Sequence, residues 1–272
     1  MQSSKRDWKS RLFAVSIGTF SWCLVVRDAV LGVSRRLHRH ATQEKFYFAS
    51  GERQLASVFV AGGEGAPVIL LCHGIGETVE HWSAVQALLC ELGVGSMVFN
   101  YSGYGRSSGV VEAEHCDEDL VAAYAELRRR VGAEARVFVL GFSLGSGIAA
   151  SGMPELRPRP DGLILCEAYT SFRDAMCEMG FPKWVAQGFP DVWDTVADAP
   201  LAGVPVLVLH SEADRLFPVE MARRIAAACG DRAELVVVKG IAHAEPYRKP
   251  TEAYWGRVVE WVGAVKPPMP SI

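Results

Sequence analysis

At 272 residues, half of them hydrophobic, the chain is long enough to bury one substantial core, as a single large α/β domain would. Its formal charge of −3 is unevenly placed: residues 1–40 hold eight Lys/Arg against two Asp/Glu, and the remainder holds 20 against 29. An acidic body offers no basic groove, which excludes a nucleic-acid partner.

The basic N-terminus brackets apolar residues. Leu12 to Val26 is an uncharged run of 15 residues preceded by Lys5, Arg6, Lys9 and Arg11; Arg27-Asp28 interrupts it, and Arg35, Arg36 and Arg39 close it. A full crossing of the hydrocarbon layer needs roughly 20 apolar residues, so the run is marginal in length. It predicts a segment, residues 1–40, that anchors the chain to a membrane or lies on one through residues 8–33; a cleaved signal and an ordinary helix packed on the body are the alternatives. The expected location is a membrane with the body on the cytoplasmic side, or the soluble cytoplasm. The seven cysteines are odd in number and widely spaced, with no Cys-x-x-Cys, which points to a reducing compartment without a disulfide framework. Cys72, Cys90 and Cys166 fall in predicted elements, as buried thiols do.

Strand and helix patterns alternate from Phe46 onward. Lys45–Ala49 and Gln54–Val60 pair about the Ser50-Gly51 turn, and Pro67–Cys72 is apolar throughout, as a strand buried on both faces is. A helix is expected over Glu77–Leu92, a strand over Ser96–Tyr101 and a helix over Asp117–Val131. Arg136–Gly141 and Gly162–Cys166 are the next strands, followed by an irregular Trp- and Phe-bearing segment over about 168–200. Val204–His210 is a strand, and the helix that follows runs from Pro218 in its first turn to Cys229, with Gly230 to cap it. Leu235–Lys239 is the last strand and Thr251–Val262 the last helix. Repeated strand–helix units predict a mostly parallel sheet of about eight strands with helices on both faces.

Candidate chemistry gathers on loops at the carboxyl ends of these strands, where such sheets place it. Gly141-Phe142-Ser143-Leu144-Gly145 joins an apolar strand to a small-residue helix, a sharp turn that strains the serine and presents its hydroxyl. A serine needs an imidazole to take its proton, and the imidazole needs a carboxylate to hold its tautomer. Ser143, Asp214 and His243 supply these groups in that order, each just past a predicted strand. The backbone N–H groups of Leu144 and of Ile75, on the glycine-bracketed loop after the third strand, are the candidate oxyanion donors. Glu167 is the rival acid, with Glu212 a weaker one. His73 reads as structural, and His81, His115 and His210 as surface or packing residues. Gly103, Gly105 and Gly109 are one residue too widely spaced for a dinucleotide fingerprint; no phosphate loop and no zinc motif occur, so no cofactor and no metal are expected.

The chain resembles the α/β-hydrolases over residues 44–265, and among them the compact serine hydrolases that include depalmitoylating thioesterases and lysophospholipase-like enzymes. The elements that carry the resemblance are Leu-Cys-His73-Gly74, Asn100-Tyr-Ser-Gly-Tyr-Gly-Arg-Ser-Ser-Gly109, the serine turn, Ala168-Tyr-Thr-Ser-Phe-Arg-Asp174, His210-Ser-Glu-Ala-Asp-Arg-Leu-Phe-Pro218 and Gly240-Ile-Ala-His243. Asn100 stands where Asp is common, Ser102 where Arg is common, Ser211 where Gly is frequent, and Ala242 where Gly usually precedes the histidine. The resemblance implies an α/β-hydrolase fold with a short cap at about 168–200 and cleavage of carboxylic esters through an acyl-serine. A thioesterase or lysophospholipase-like lipase acting on small acyl substrates at a membrane is the alternative, and a non-catalytic binding protein of the same fold is the alternative of a different class. Phe172, Met176, Phe181, Trp184, Val185, Phe189 and Trp193 would give the cap an apolar lining for an acyl chain, or would pack it onto the body.

Overall fold

The computed structural model describes residues 42–266, so the N-terminal segment expected at a membrane lies outside them. Among the described residues, no helix is long and apolar enough to cross a membrane.

Eight strands form one sheet in the order β1-β2-β4-β3-β5-β6-β7-β8. The strands are β1 (Gln43–Ser50), β2 (Arg53–Val60), β3 (Val68–Cys72), β4 (Gly95–Phe99), β5 (Val137–Phe142), β6 (Gly162–Cys166), β7 (Val206–Ser211) and β8 (Ala233–Val238). Strand β2 pairs antiparallel with both β1 and β4, and every other pairing is parallel. The sheet is thus mostly parallel with eight strands, as the alternating pattern predicts, in the α/β-hydrolase arrangement that the resemblance implies.

Side-chain alternation along the central strands builds two cores. Leu70, Val139, Leu165 and Val208 face one side, with helices α2 (Ala113–Val131), α3 (Leu144–Gly152) and α7 (Val219–Cys229) against them. Ile69, Leu71, Leu140, Ile164 and Leu209 face the other, covered by α1 (Ser83–Glu91) and α9 (Glu252–Ala264). In α9 the buried residues Tyr254, Trp255, Val258, Trp261 and Val262 recur at helical spacing, which is why that stripe meets the sheet. Between β6 and β7 the chain makes α4 (Phe172–Glu178), α5 (Lys183–Ala186) and α6 (Thr195–Asp198), and α8 (Glu245–Arg248) follows β8.

Several boundaries differ from the sequence expectation. The helix expected from Glu77 starts with a 3-10 turn at Val79–Trp82, because the Glu77 carboxylate turns back to accept Gly74 N–H and Trp82 Nε1–H, both at 2.9 Å. Strand β4 ends at Phe99; the Asn100 N–H still donates to Ala56 O of β2 at 2.9 Å, while its side chain accepts Val79 N–H. Helix α2 begins a turn earlier than expected, at Ala113. Pro218 is the N-cap of α7 rather than part of its first turn, and Gly230, at φ 60°, caps its far end. Cys90 is only partly buried, whereas Cys72 and Cys166 are buried; the six described cysteines are all free thiols.

Candidate active site

The serine turn is dictated by close packing. A Cβ on Gly141 would meet the backbone of Gly145 and Ser146, and one on Gly145 would meet the Cys72 carbonyl, so only glycine lets β3, β5 and α3 approach this closely. Ser143 sits between them at φ 51°, a left-handed conformation that costs a non-glycine residue of order 1–3 kcal/mol. The strained turn is tied on both sides: Ser143 N–H donates to Cys166 O at 3.0 Å, and the Ser146 hydroxyl donates to Ser143 O at 2.6 Å.

The three residues that the sequence places far apart meet here. His243 Nε2 is 2.9 Å from Ser143 Oγ, and His243 Nδ1 is 2.6 Å from Asp214 Oδ2. With the proton on Nδ1 donated to the carboxylate, Nε2 is free to accept from the serine hydroxyl. The rings of Phe142 and Phe217 flank the imidazole, with centroids 5.7 and 5.2 Å away. Asp214 is buried and its second oxygen accepts Leu216 and Phe217 N–H at 2.7 and 3.0 Å. Burial alone would raise its pKa, but the hydrogen bond and charge of His243 and those two amides outweigh it and hold the carboxyl below its ordinary value.

Of the three carboxylates in play, Asp214 is the one bonded to His243. Glu167 bonds instead to Ser211 and Tyr254, and the Glu212 side chain is exposed while its amide continues the β8 ladder to Val238. His210 lies behind Asp214, Nε2 3.6 Å from Oδ2, and donates to Phe217 O at 2.9 Å, which holds the acid loop to its strand. Burial lowers its pKa. His73 is fully buried between the Tyr101 and Tyr104 rings and donates through Nδ1 to Gly74 O, shaping the loop that carries Ile75; burial lowers its pKa to about 4, so the ring is neutral. The Gly74 amide is consumed by Glu77, whereas the N–H groups of Ile75 and of Leu144, the first residue of α3, meet no backbone or side-chain acceptor among the described residues. Both residues line the cavity into which Ser143 and His243 open.

That cavity has a volume of about 690 Å³. Its lining is mixed: Leu144, Phe172, Met176, Met179, Leu216 and Phe217 are apolar, and Glu77, Glu245, Arg215 and Arg248 are charged. The aromatic segment after β6 contributes fewer lining residues than its composition suggests. Phe172 and Met176 face the cavity, but Phe189 and Trp193 are buried in the packing and Trp184 is 78% exposed. Trp193 fastens the segment to the body by donating Nε1–H to Asp117 at 2.9 Å. Sequence reading missed Leu216, Phe217 and Met179 as cavity residues; their signal was only adjacency to Asp214 and to the end of α4.

Residues 63–194 match the family described as serine aminopeptidase, S33, a range that includes Ser143 and ends before Asp214 and His243. An uncharacterised protein of Mycobacterium tuberculosis is 29% identical over 191 residues, covering 68% of this chain and 66% of the relative. Lysophosphatidylserine lipase ABHD12 of Danio rerio is 28% identical over 178 residues, 58% of this chain and 46% of that protein. The chain thus spans about half the length of the curated lipases it matches, and just under two thirds of the mycobacterial one. Among solved structures, an esterase of Pyrococcus furiosus superposes with a TM-score of 0.67 at 17% identity, over 82% of this chain and 91% of that one. A cold-adapted esterase from an Arctic intertidal metagenomic library superposes at 0.62 with 20% identity, over 84% and 96%. At these identities the structural likeness establishes the fold alone.

Proposed function

We propose that this chain, which belongs to the α/β-hydrolase superfamily, is a serine hydrolase that cleaves carboxylic esters through an acyl-Ser143 intermediate. The observation that carries the reading is the relay from Ser143 Oγ through His243 to Asp214, with contacts of 2.9 and 2.6 Å, set on a strained turn at the floor of a cavity. In this reading His243 Nε2 takes the serine proton as Oγ attacks the carbonyl carbon, and Asp214 stabilises the imidazolium. The oxygen of the tetrahedral intermediate takes its hydrogen bonds from Ile75 and Leu144 N–H. Collapse expels the alcohol, which leaves with the proton from His243; a water then repeats the sequence on the acyl-enzyme and frees the acid.

The cavity supports an amphiphilic substrate. Its apolar lining residues suit an acyl chain, with residues 168–200 as a short cap that supplies Phe172 and Met176 to it. Each methylene that leaves water is worth about 0.8 kcal/mol, so kcat/KM should rise roughly threefold to fourfold per added carbon until the apolar lining is filled. A series of p-nitrophenyl esters from acetate upward, run beside the matching thioesters, measures this. A profile flat in chain length removes the acyl-chain assignment, and hydrolysis of the thioesters alone moves the enzyme to the thioesterase reading. A lysophospholipase-like lipase is the reading that the ABHD12 likeness favours.

Residues 8–33, uncharged from Leu12 to Val26 and basic on both flanks, are the proposed membrane attachment. Full-length protein should then float with vesicles of mixed neutral and anionic phospholipid. Recovery in the unbound fraction at both low and high salt would withdraw that attachment.

A further inference from the structure

Behind the Ser143–His243–Asp214 relay lies a second acid that the proposed reaction does not use. Glu167 follows β6, is fully buried and holds a left-handed backbone at φ 49°. Its Oε1 accepts the Ser211 hydroxyl at 2.7 Å and the Tyr254 hydroxyl at 2.8 Å, and its Oε2 accepts Ser211 N–H at 3.1 Å. One oxygen of Glu167, one of Asp214 and a ring nitrogen of His243 all lie within 4.8 Å of one another. The groups facing Glu167 come from every neighbouring element: Ser211 of β7, Asp214 of the following loop, His243 of the loop after β8, Tyr254 of α9, and the Cys166 thiol beside it. No Lys or Arg pairs with it among the described residues. Ser211, which stands where the resemblance leads one to expect glycine, supplies one of the donors that hold it.

We propose that Glu167 is a positioning residue for the catalytic histidine: when it ionises, it places a second negative charge behind Asp214 and strengthens the hold on the imidazolium that forms on His243. The inference rests on the serine-hydrolase reading of Ser143. Two features make both charge states of Glu167 tenable. Burial and then the Asp214 charge push its pKa up to about 8 against the donors from Ser211 and Tyr254, so it is neutral at pH 7 and loses its proton in the mildly alkaline range. Its two hydroxyl partners can donate or accept, so the protonated carboxyl also finds an acceptor. A charge a few ångströms from a forming imidazolium is worth on the order of tenfold in rate even when well screened.

The sign on stability follows from the same shift. The folded-state pKa lies above the ordinary value of 4.5, so this group's contribution is fully present below about 4.5 and is lost as the pH rises through about 8. Wild type should therefore lose melting temperature relative to Glu167→Gln across that window.

The test is the pH dependence of p-nitrophenyl butyrate hydrolysis from about pH 6 to about pH 10, read together with fluorophosphonate labelling of Ser143. Wild type should show a second rise in kcat, on the order of tenfold, centred near pH 8. Glu167→Gln should stay at the lower plateau with KM little changed. Tyr254→Phe, which removes one donor to the ionised form and leaves the triad untouched, should move the rise to higher pH and keeps the test decisive if the Gln variant misfolds. A wild-type profile without that rise, or a Glu167→Gln profile that superposes on wild type, overturns the role of Glu167 while labelling of Ser143 leaves the serine-hydrolase reading intact. If wild type neither hydrolyses the ester nor takes the label, both fall together.

Discussion

Ser143→Ala is expected to lower kcat for ester hydrolysis by something on the order of 10⁶ and to abolish covalent labelling by a fluorophosphonate. Among the described residues the Oγ atom has one hydrogen-bond partner, His243 Nε2 at 2.9 Å, and it opens onto the cavity rather than into the packing around α3. Alanine tolerates φ 51° no worse than serine, and the ties that hold the turn, from Ser143 N–H to Cys166 O and from Ser146 to Ser143 O, are backbone-based and survive. The variant should therefore keep the wild-type melting temperature, which separates loss of a nucleophile from loss of the fold. Labelling of the variant at the wild-type rate would refute the assignment, and so would wild-type protein that is folded, binds esters and never reacts, as expected of a non-catalytic binding protein on this fold.

The second large effect belongs to Asp214. Replacement by asparagine should cost kcat on the order of 10³–10⁴ while KM changes little. An asparagine keeps one carbonyl oxygen, and the Leu216 and Phe217 amides bid for it at the Oδ1 position. The amide nitrogen then faces His243 Nδ1, where two donors cannot meet, and the imidazole turns over to the tautomer that presents a proton rather than a lone pair to Ser143. A stability signature accompanies the rate loss. The Asp214 carboxyl is held below its ordinary pKa, so its contribution is present above the unfolded-state pKa and disappears as the pH falls through the folded one. Wild type and Asp214→Asn should thus differ in melting temperature near pH 7 and converge on strong acidification. Should Glu167→Gln reproduce the rate loss at neutral pH while Asp214→Asn does not, Glu167 is the acid and the roles assigned to the two carboxyls are reversed.

At the departures from the resemblance, the bonds made by Ser102 and Ala242 are backbone ones, and nothing in the structure explains those two substitutions. Asn100 accepts Val79 N–H at 2.8 Å and so ties the end of β4 to the start of the 3-10 turn. Ser102 receives its anchor through its backbone, donating N–H to Asp119 at 2.6 Å. Ala242 donates N–H to Glu245 at 2.8 Å, which fixes the turn just ahead of His243. Ser211 bonds through its side chain to Glu167.

Much of this molecule is determined by local pattern and is legible in the chain itself. Apolar runs such as Val68–Cys72 and Gly162–Cys166 can be satisfied only by burial on both faces, which forces a parallel sheet covered by helices. The Gly141–Gly145 turn needs small residues because strand and helix touch there, and that requirement is written in the sequence. The order of Ser143, Asp214 and His243 is legible for the same reason: each follows a strand, and parallel strands bring their carboxyl ends to one edge.

Tertiary structure alone decides what depends on distance between segments remote in sequence. Whether Asp214 or Glu167 holds the imidazole turns on about a hydrogen bond's length across loops from different strands, and strand periodicity carries no information on that scale. The same holds for the cavity: Phe172 and Trp184 are both aromatic residues of one segment, yet one lines the cavity and the other is exposed to solvent. The charge state of Glu167 is set by burial and by neighbours contributed from β7, two loops and α9, a sum of contacts that exists only once the sheet has closed over it.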